Sequence, residues 1–232
     1  QPINGTLAGE VLLSGEEKAL KSAKGTISVD EIQIDLDENE FYPEFKWFDT
    51  ELSFRLENQD LITEFRSRFI DDSKVDGIIT VVGAGDNNNQ FTALPVLGKL
   101  DLNLVDLSPL SLLTSDFLTL RGHLAADLEI GGYLAEPTIA GAVTLEKGEM
   151  RLPQLGIAIG DISGTLEATG ESLDLDLNGV SKDGQLHSTG KFEFGAQPWN
   201  GSFNFVGTQL ELLKTRAVHV IADPDLNLEI SS

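Results

Sequence analysis

Residues 173–177 read Leu173-Asp174-Leu175-Asp176-Leu177, a strict alternation of apolar and acidic side chains. Successive side chains of a β-strand point to opposite faces of the sheet, so this stretch has one apolar face and one charged face. A parallel sheet covered by helices would instead show continuous apolar runs. The pattern therefore predicts an all-β fold whose strands are apolar on one side only. Similar alternation recurs in 32–37, 52–57, 100–104, 124–130, 192–194, 203–205 and 226–230.

Turn-forming residues separate these segments. Asp183-Gly184 is the strongest candidate for a two-residue hairpin, because a type I′ turn needs positive φ at both positions. Helical periodicity is almost absent. The one candidate helix is 108–113, where Ser108 would cap the helix and Pro109 would occupy its first position. Further turns are predicted at Gly15-Glu16, Asn58-Gln59-Asp60, Gly131-Gly132 and Gly170-Glu171.

The two halves of the chain resemble each other, which indicates an internal repeat. Four pairs of segments share a pattern: 5–15 with 122–132, 23–29 with 139–145, 49–61 with 161–173, and 76–78 with 189–191. Repeats that are each apolar on one face stack into one continuous sheet or groove. We therefore predict a first β repeat over 1–82, a linker over 83–99, and a second β repeat over 100–232 that continues the same sheet.

The net charge is −22, from 16 Lys and Arg against 38 Asp and Glu. Nucleic-acid binding is excluded, because neutralising phosphates needs clustered cationic side chains. Docking on anionic lipid headgroups is disfavoured for the same reason. Solubility is the ordinary explanation of such a charge, and an acidic patch for a basic partner is the alternative. The absence of cysteine excludes disulfides and thiolate metal sites.

No motif indicates catalysis. His123, His187 and His219 share no metal-ligand spacing. Gly83-Ala84-Gly85 begins a dinucleotide-like string, but Asn88 stands where the third glycine belongs. Asp71-Asp72 and Asp223-Pro224-Asp225 lack the register of a calcium loop and are interpreted as solvated turns. We expect no catalytic residue, no metal site, no cofactor and no enzymatic activity.

The segment 120–132 has the sequence Leu-Arg-Gly-His-Leu-Ala-Ala-Asp-Leu-Glu-Ile-Gly-Gly, and 135–141 follows with Ala-Glu-Pro-Thr-Ile-Ala-Gly. The stretch 148–156 then reads Gly-Glu-Met-Arg-Leu-Pro-Gln-Leu-Gly. This order of motifs resembles the TamB family, in which a glycine-led alternating strand ends in Gly-Gly and a Pro-x-x-x-Gly stretch enters the next strand. The resemblance extends over about 98–232 and, less closely, over 1–82.

The resemblance implies a large protein of a Gram-negative bacterium, anchored in the inner membrane by an N-terminal segment that this chain lacks. Its β-rich body would cross the periplasm as an elongated, curled antiparallel or mixed sheet with an apolar inner groove. The implied functions are assembly of outer-membrane and autotransporter proteins, and movement of phospholipid between the membranes. The implied partners are the outer-membrane barrel protein TamA, phospholipid acyl chains and unfolded outer-membrane protein clients.

Two structures could use such apolar faces. The residues alone favour a closed sandwich core packed against a second sheet, whereas the resemblance favours an open groove for lipid. A chaperone-like scaffold for client strands and a purely structural spacer are the alternative functions. Twenty side chains are expected to line the groove and contact lipid or client: Leu52, Phe54, Leu56, Leu102, Leu124, Leu128, Ile130, Val143, Leu145, Met150, Leu166, Leu173, Leu175, Leu177, Phe192, Phe194, Phe203, Phe205, Leu226 and Leu228.

Overall fold

The computed structural model describes residues 3–16, 19–34, 45–69, 72–86, 91–107, 119–152, 157–193, 200–214 and 217–231. These residues form fifteen β-strands and one short 3-10 helix, Phe91–Ala93. The predicted all-β fold is confirmed, and the candidate helix at 108–113 lies outside the described residues. The strands are β1 (Ile3–Glu16), β2 (Ala19–Ile34), β3 (Phe45–Glu57), β4 (Asp60–Phe69), β5 (Lys74–Val81), β6 (Val96–Leu104), β7 (Thr119–Tyr133), β8 (Glu136–Leu152), β9 (Ile157–Thr169), β10 (Ser172–Ser181), β11 (Gly184–Glu193), β12 (Asn200–Thr208), β13 (Leu210–Lys214), β14 (His219–Ala222) and β15 (Asp225–Ser231).

The strands pair in the order of the chain. Within the described residues, thirteen strands form one sheet that runs from β1 to β12 and ends with β15. β13 and β14 form a separate two-stranded sheet. Every strand pair with a described register is antiparallel. Within the described residues, the sheet is therefore antiparallel.

The chain divides into two compact units. The N-terminal unit comprises Gln1–Leu104 and Asp127–Ile139, and the C-terminal unit comprises Val105–Ala126 and Ala140–Ser232. The predicted repeat boundaries at 82 and 100 stay a prediction. Within the predicted linker, β6 already begins at Val96.

The repeat is visible in a β-bulge that occurs once in each unit. Asp49 in β3 and Asp161 in β9 both have a φ of 47°. The β3–β4 register shifts between Phe48 and Glu51, and the β9–β10 register shifts between Asn178 and Val180, next to Asp161. Aspartate tolerates the left-handed region better than most residues, so an acidic residue suits this position. The predicted correspondence of 49–61 with 161–173 therefore has a structural counterpart.

The correspondence of 76–78 with 189–191 is shifted by two residues. Gly77 lies opposite Phe65, which lies opposite Leu52. In the C-terminal unit, Leu177 holds the place of Phe65. Ser188 lies opposite Leu177, so Ser188 holds the place of Gly77. The two segments align in sequence with Gly190 at the place of Gly77, whereas strand register makes Ser188 the equivalent of Gly77.

The predicted Asp183-Gly184 hairpin is wrong by one residue. Ser181 pairs with Gly184, so the two-residue loop is Lys182-Asp183, and Lys182 has a φ of 56°. Gly184 is needed inside the strand, because a side chain there would collide with the carbonyl of Gln209. A two-residue turn with positive φ at both positions occurs instead at Asn58-Gln59, with φ of 50° and 73°.

Candidate functional site: the apolar face of the sheet

The C-terminal unit carries rows of apolar side chains across its strands. Directly opposed residues of antiparallel strands lie on the same face of the sheet, so strand register defines each row. The central row runs from Leu166 through Leu175, Gly190 and Phe203 to Leu228. The flanking rows are Gly164, Leu177, Ser188, Phe205 and Leu226, and Ala168, Leu173, Phe192, Gly201 and Ile230. We call this surface the apolar face.

The N-terminal unit has an apolar face of the same construction. One row contains Gly9, Ile27, Leu52, Phe65, Gly77 and Leu100. The next contains Val11, Gly25, Phe54, Thr63, Ile79 and Gly98, and a further row contains Leu56, Leu61, Val81 and Val96. A Cβ at Gly98 would lie 3.4 Å from the Cβ of Ile130 in β7, which places Ile130 on this face as well.

The structure places the predicted lining residues together within each unit. In the N-terminal unit, Leu52, Phe54, Leu56, Leu102, Leu128 and Ile130 share the apolar face by register or strand alternation. In the C-terminal unit, the same holds for Leu124, Val143, Leu145, Met150, Leu166, Leu173, Leu175, Leu177, Phe192, Phe203, Phe205, Leu226 and Leu228. Phe194 lies outside the described residues.

The apolar face is partly exposed. None of the predicted lining side chains that the structure describes is buried. Leu226 and Leu228 are 52% and 58% exposed, and the others are half-buried. Side chains in a closed sandwich would be buried between two sheets. In the described part of the chain, β13 of the two-stranded sheet packs against β9 and β11.

Glycines on the apolar face lie under aromatic rings. A Cβ at Gly190 would come within 2.7 Å of the Phe203 ring, and a Cβ at Gly201 would come equally close to the Phe192 ring. The two rings meet edge to face, with centroids 4.9 Å apart and planes at 74°. Glycine weakens a strand unless a neighbouring side chain covers it, and aromatic rings do so well. The rings lie over the backbone here and fill the gaps that the glycines leave.

The β13–β14 hairpin covers one end of the apolar face in the C-terminal unit. Leu210 is 2% exposed and packs directly over Gly207, which lies opposite Leu186 in β11. The base of the hairpin is closed by a hydrogen bond of 2.8 Å that the Gly207 amide donates to the Pro224 carbonyl. The pairing of β13 with β14 was not predicted, because strand pairing depends on contacts that local alternation does not encode.

Polar contacts fix the hairpin further. The Gln209 amide donates a hydrogen bond of 2.5 Å to Oδ1 of Asp223. His219 Nε2 lies 2.6 Å from Oε2 of Glu211, whose residue is 9% exposed. A carboxylate this deeply buried needs such a partner. Asp223, considered above as a candidate cation ligand, therefore has a structural contact with the chain.

The sequence matches the family described as TamB, N-terminal domain, over residues 1–145, which is more than half of the 232 residues. The chain belongs to the TamB family. The predicted family is confirmed, and the match covers all of the region where the resemblance was less close. Neither a curated protein nor a solved structure matches the chain.

Membership of the TamB family carries a general functional statement. The chain is a TamB-like protein of membrane assembly, in a family that associates with TamA and spans the periplasm. No helix in the described part of this TamB-family chain is both long and apolar enough to cross a bilayer.

The opposite face of the TamB-family sheet is polar and holds a depression in each unit. In the C-terminal unit, the depression has a volume of about 770 Å³. It is lined by residues such as Asp174, Asp176, Thr189, Lys191 and Asn204. In the N-terminal unit, a depression of about 390 Å³ lies beside Glu64, Arg66, Asp76 and Lys99. Neither depression could be predicted from the sequence, because a polar alternating stretch has the same pattern whether its surface is flat or hollow.

Short ion pairs cross the polar face. Arg55 lies 2.8 Å from Glu64, and this hydrogen-bonded carboxylate raises the pKa of Arg55 above its ordinary value. Lys191 lies 2.9 Å from Glu193. Their hydrogen bond raises the pKa of Lys191 and lowers that of Glu193. All four side chains are about half exposed, so we treat these pairs as surface electrostatics of small energy.

The histidines lie apart and have local partners. His187 Nδ1 lies 2.9 Å from Oδ1 of Asn178, and His123 Nδ1 lies 3.9 Å from Oε2 of Glu146. Across the residues with described positions, no three His, Asp or Glu side chains form a group suited to a metal ion. The apolar face is therefore the strongest candidate for a functional surface.

Proposed function

We propose that the apolar face of this chain carries phospholipid acyl chains between the inner and outer membranes, in the periplasm. The supporting observation is that both units present uncharged apolar rows on one face, and that most side chains of these rows are half-buried or exposed. Burial of a CH₂ group contributes about 0.8 kcal/mol, so a sixteen-carbon chain gains on the order of 12 kcal/mol gross when it leaves water. That gain is large enough to hold an acyl chain on an apolar surface.

The face is suited to movement along it. Its rows contain leucine, isoleucine, phenylalanine, valine, alanine and glycine, with Ser188 and Thr63 as uncharged exceptions. A polar group that bound one atom of the lipid would fix the chain at one place, whereas uniform apolar contacts let it slide. No catalysis is part of this proposal, and no cofactor is needed for it.

A second candidate function is support of outer-membrane and autotransporter protein assembly with TamA. The observation that favours it is the edge of the sheet at β15, where all seven residues are exposed. Sheet edges bind extended client strands by backbone hydrogen bonding. The two functions use different surfaces, so one chain can support both.

Photocrosslinking in the full-length protein tests the lipid proposal. A crosslinker at Leu175 or Phe203, on the apolar face, should capture phospholipid. The matched controls are Asp174 and Asn204, which are their sequence neighbours and lie on the polar face. Equal capture of lipid at both faces would overturn the proposal, whereas capture of unfolded barrel segments without lipid would favour the second function.

A further inference from the structure

The β13–β14 hairpin is inserted into a strand connection that does not need it. Val206 of β12 lies directly opposite Asp225 of β15, and residues 207–224 join the two strands. Two residues are enough to connect directly opposed antiparallel strands. β10 and β11 are connected in that way, through Lys182-Asp183. The β12–β15 ladder is complete without the hairpin, so chain connection does not explain where the hairpin lies.

The hairpin lies over a row at one end of the apolar face. This row consists of Gly179, Leu186 and Gly207, which lie opposite one another in β10, β11 and β12. Leu210 fills the space above Gly207, where a new Cβ would collide with the leucine side chain. β13 packs against both β11 and β9, which lie on either side of β10. The hairpin therefore crosses several strands on the face that we propose for lipid.

Burial increases along the apolar face towards the hairpin. Leu175 and Phe203, in the central row, are half-buried. Gly179 and Gly207 are buried, and Leu210 is only 2% exposed. Packing of this kind is as close as in a protein core and leaves no room for a further chain of CH₂ groups. The hairpin and an acyl chain therefore exclude each other at this end of the face.

The N-terminal unit fills the corresponding place from within its own strand. Strand register gives the counterpart of this row as Ser67, Val75 and Leu102. Leu102 of β6 stands where Gly207 stands in β12. The C-terminal unit thus has a glycine in the strand and receives its leucine, Leu210, from the hairpin. Leu102 is fixed to the sheet, whereas Leu210 leaves the sheet whenever the hairpin does.

The hairpin is held together by contacts of its own. β13 and β14 pair with each other and with no strand of the large sheet, within the described residues. His219 Nε2 lies 2.6 Å from Oε2 of Glu211, so this contact joins β14 to β13. Glu211 keeps His219 as its partner when the hairpin moves as a unit, which avoids the cost of a buried carboxylate without a partner. Displacement of the hairpin then mainly exposes Leu210 and the glycines beneath it.

On the basis of the lipid function proposed above, we propose that the β13–β14 hairpin competes with phospholipid acyl chains for this end of the apolar face. With the hairpin in place, acyl chains contact the rows up to Phe205 and stop before Leu186. When the hairpin lifts, the row of Leu186 joins the path. The hairpin thereby regulates how far a lipid moves along the C-terminal unit.

Removal of the hairpin tests this competition in the full-length protein. In the variant, the dipeptide Asn-Gly replaces residues 207–224 and joins Val206 to Asp225, since it suits a two-residue turn. Phospholipid capture by a photocrosslinker at Leu186 should rise about tenfold, as expected if the hairpin leaves this row open roughly a tenth of the time. The crosslinker at Leu175 is the internal reference, because that row is accessible with and without the hairpin.

A second variant, Leu210→Asp, keeps the length of the chain. It places a carboxylate against Gly207 and should release the hairpin, so capture at Leu186 should rise as in the first variant. Circular dichroism reports whether each variant keeps its sheet, and Leu210→Asp decides if the shortened chain does not fold. In the unmodified chain, dioleoylphosphatidylcholine vesicles should accelerate amide exchange in residues 210–214, because lipid displaces the hairpin.

The competition and the lipid function fail in different ways. Equal capture at Leu186 and Leu175 in the unmodified chain would show that the hairpin excludes no lipid. Unchanged capture at Leu186 in the folded variants, or amide exchange that vesicles leave unchanged while Leu175 captures lipid, would make the hairpin a fixed cap and overturn the proposal. If Leu175 captures no phospholipid in any of the chains, the lipid function itself is wrong, and the competition falls with it.

Discussion

The two units share their apolar face and differ in their polar face. In the N-terminal unit, the polar face is crossed by ion pairs such as Arg68 with Asp76 at 2.8 Å and Lys74 with Asp101 at 2.9 Å. It also holds Ile78, an apolar residue opposite Glu64. In the C-terminal unit, the matching surface has the pair of Lys191 with Glu193 within a single strand, beside a row of uncharged and acidic residues that includes Thr189 opposite Asn204. The feature that the repeats have in common is the apolar face, so we assign their common function to it.

Close packing of the C-terminal unit around its glycines gives the largest expected effect. In Gly164→Ala, the new Cβ would collide with the backbone carbonyl of Asp176 and would force β9 and β10 apart. We expect a loss of about 1–3 kcal/mol in the free energy of unfolding, measured by urea denaturation. Gly160→Ala in the same strand is the control, because its Cβ meets nothing within 4 Å. Equal destabilisation by the two variants would show that strand propensity dominates and that packing does not.

Charge on the apolar face tests whether the two units act alike. Leu175→Asp in the C-terminal unit and Phe65→Asp in the N-terminal unit each place a carboxylate among apolar side chains. Because a desolvated charge is costly, each variant should lower phospholipid capture by about tenfold, or roughly 1.4 kcal/mol. Asp174→Leu is a matched polar-face control that should leave capture unchanged. If only one of the two variants loses phospholipid capture, the two units do not act alike, and lipid contact is confined to the unit that carries that variant.

The β13–β14 hairpin distinguishes the two units, since it covers one end of the apolar face of the C-terminal unit. In Gly207→Ala, the new methyl group would collide with Leu210 and displace the hairpin. We expect faster proteolysis within residues 210–222 and faster amide exchange there. Exchange in β3 and β4 of the N-terminal unit should stay as in the unmodified chain. Unchanged proteolysis would mean that Leu210 can move aside while the hairpin stays in place.

The smallest expected effect concerns pH. The hydrogen bond from Lys191 lowers the pKa of Glu193 in the folded chain below its ordinary value. The stabilisation is therefore complete above the pKa of the unfolded state and is lost as the pH falls through the lower, folded value. Glu193→Gln should remove this small, acid-sensitive contribution, as measured by thermal unfolding from pH 7 to pH 3. A stability difference that persists unchanged at pH 3 would contradict this ionic explanation.

The arrangement of the apolar face could be predicted from sequence because strand alternation is local. Leu173, Leu175 and Leu177 lie on one face in any strand, whatever their neighbours. Strand register depends on contacts that are distant in the sequence. Gly184 belongs to β11 because the Gln209 carbonyl lies against it, and no pattern near residue 184 announces that contact.

The same limit applies to the hairpin and to the polar depressions. The place of β13 and β14 on the sheet depends on the contact between Leu210 and Gly207, which local alternation does not encode. The depressions depend on the local shape of the sheet. The alternation of apolar and polar residues in the sequence is the same for a flat and for a hollow surface, so it cannot predict them. The predicted groove is a statement about shape of the same kind, and it stays a prediction.

Native mass spectrometry of protein purified without detergent tests most directly whether the apolar face takes lipid. We predict that phospholipid copurifies with the unmodified chain, and that the Leu175→Asp/Phe65→Asp double variant loses it while remaining folded. An unmodified chain that carries no phospholipid, or a folded double variant that retains as much as the unmodified chain, would contradict the proposed role of this face.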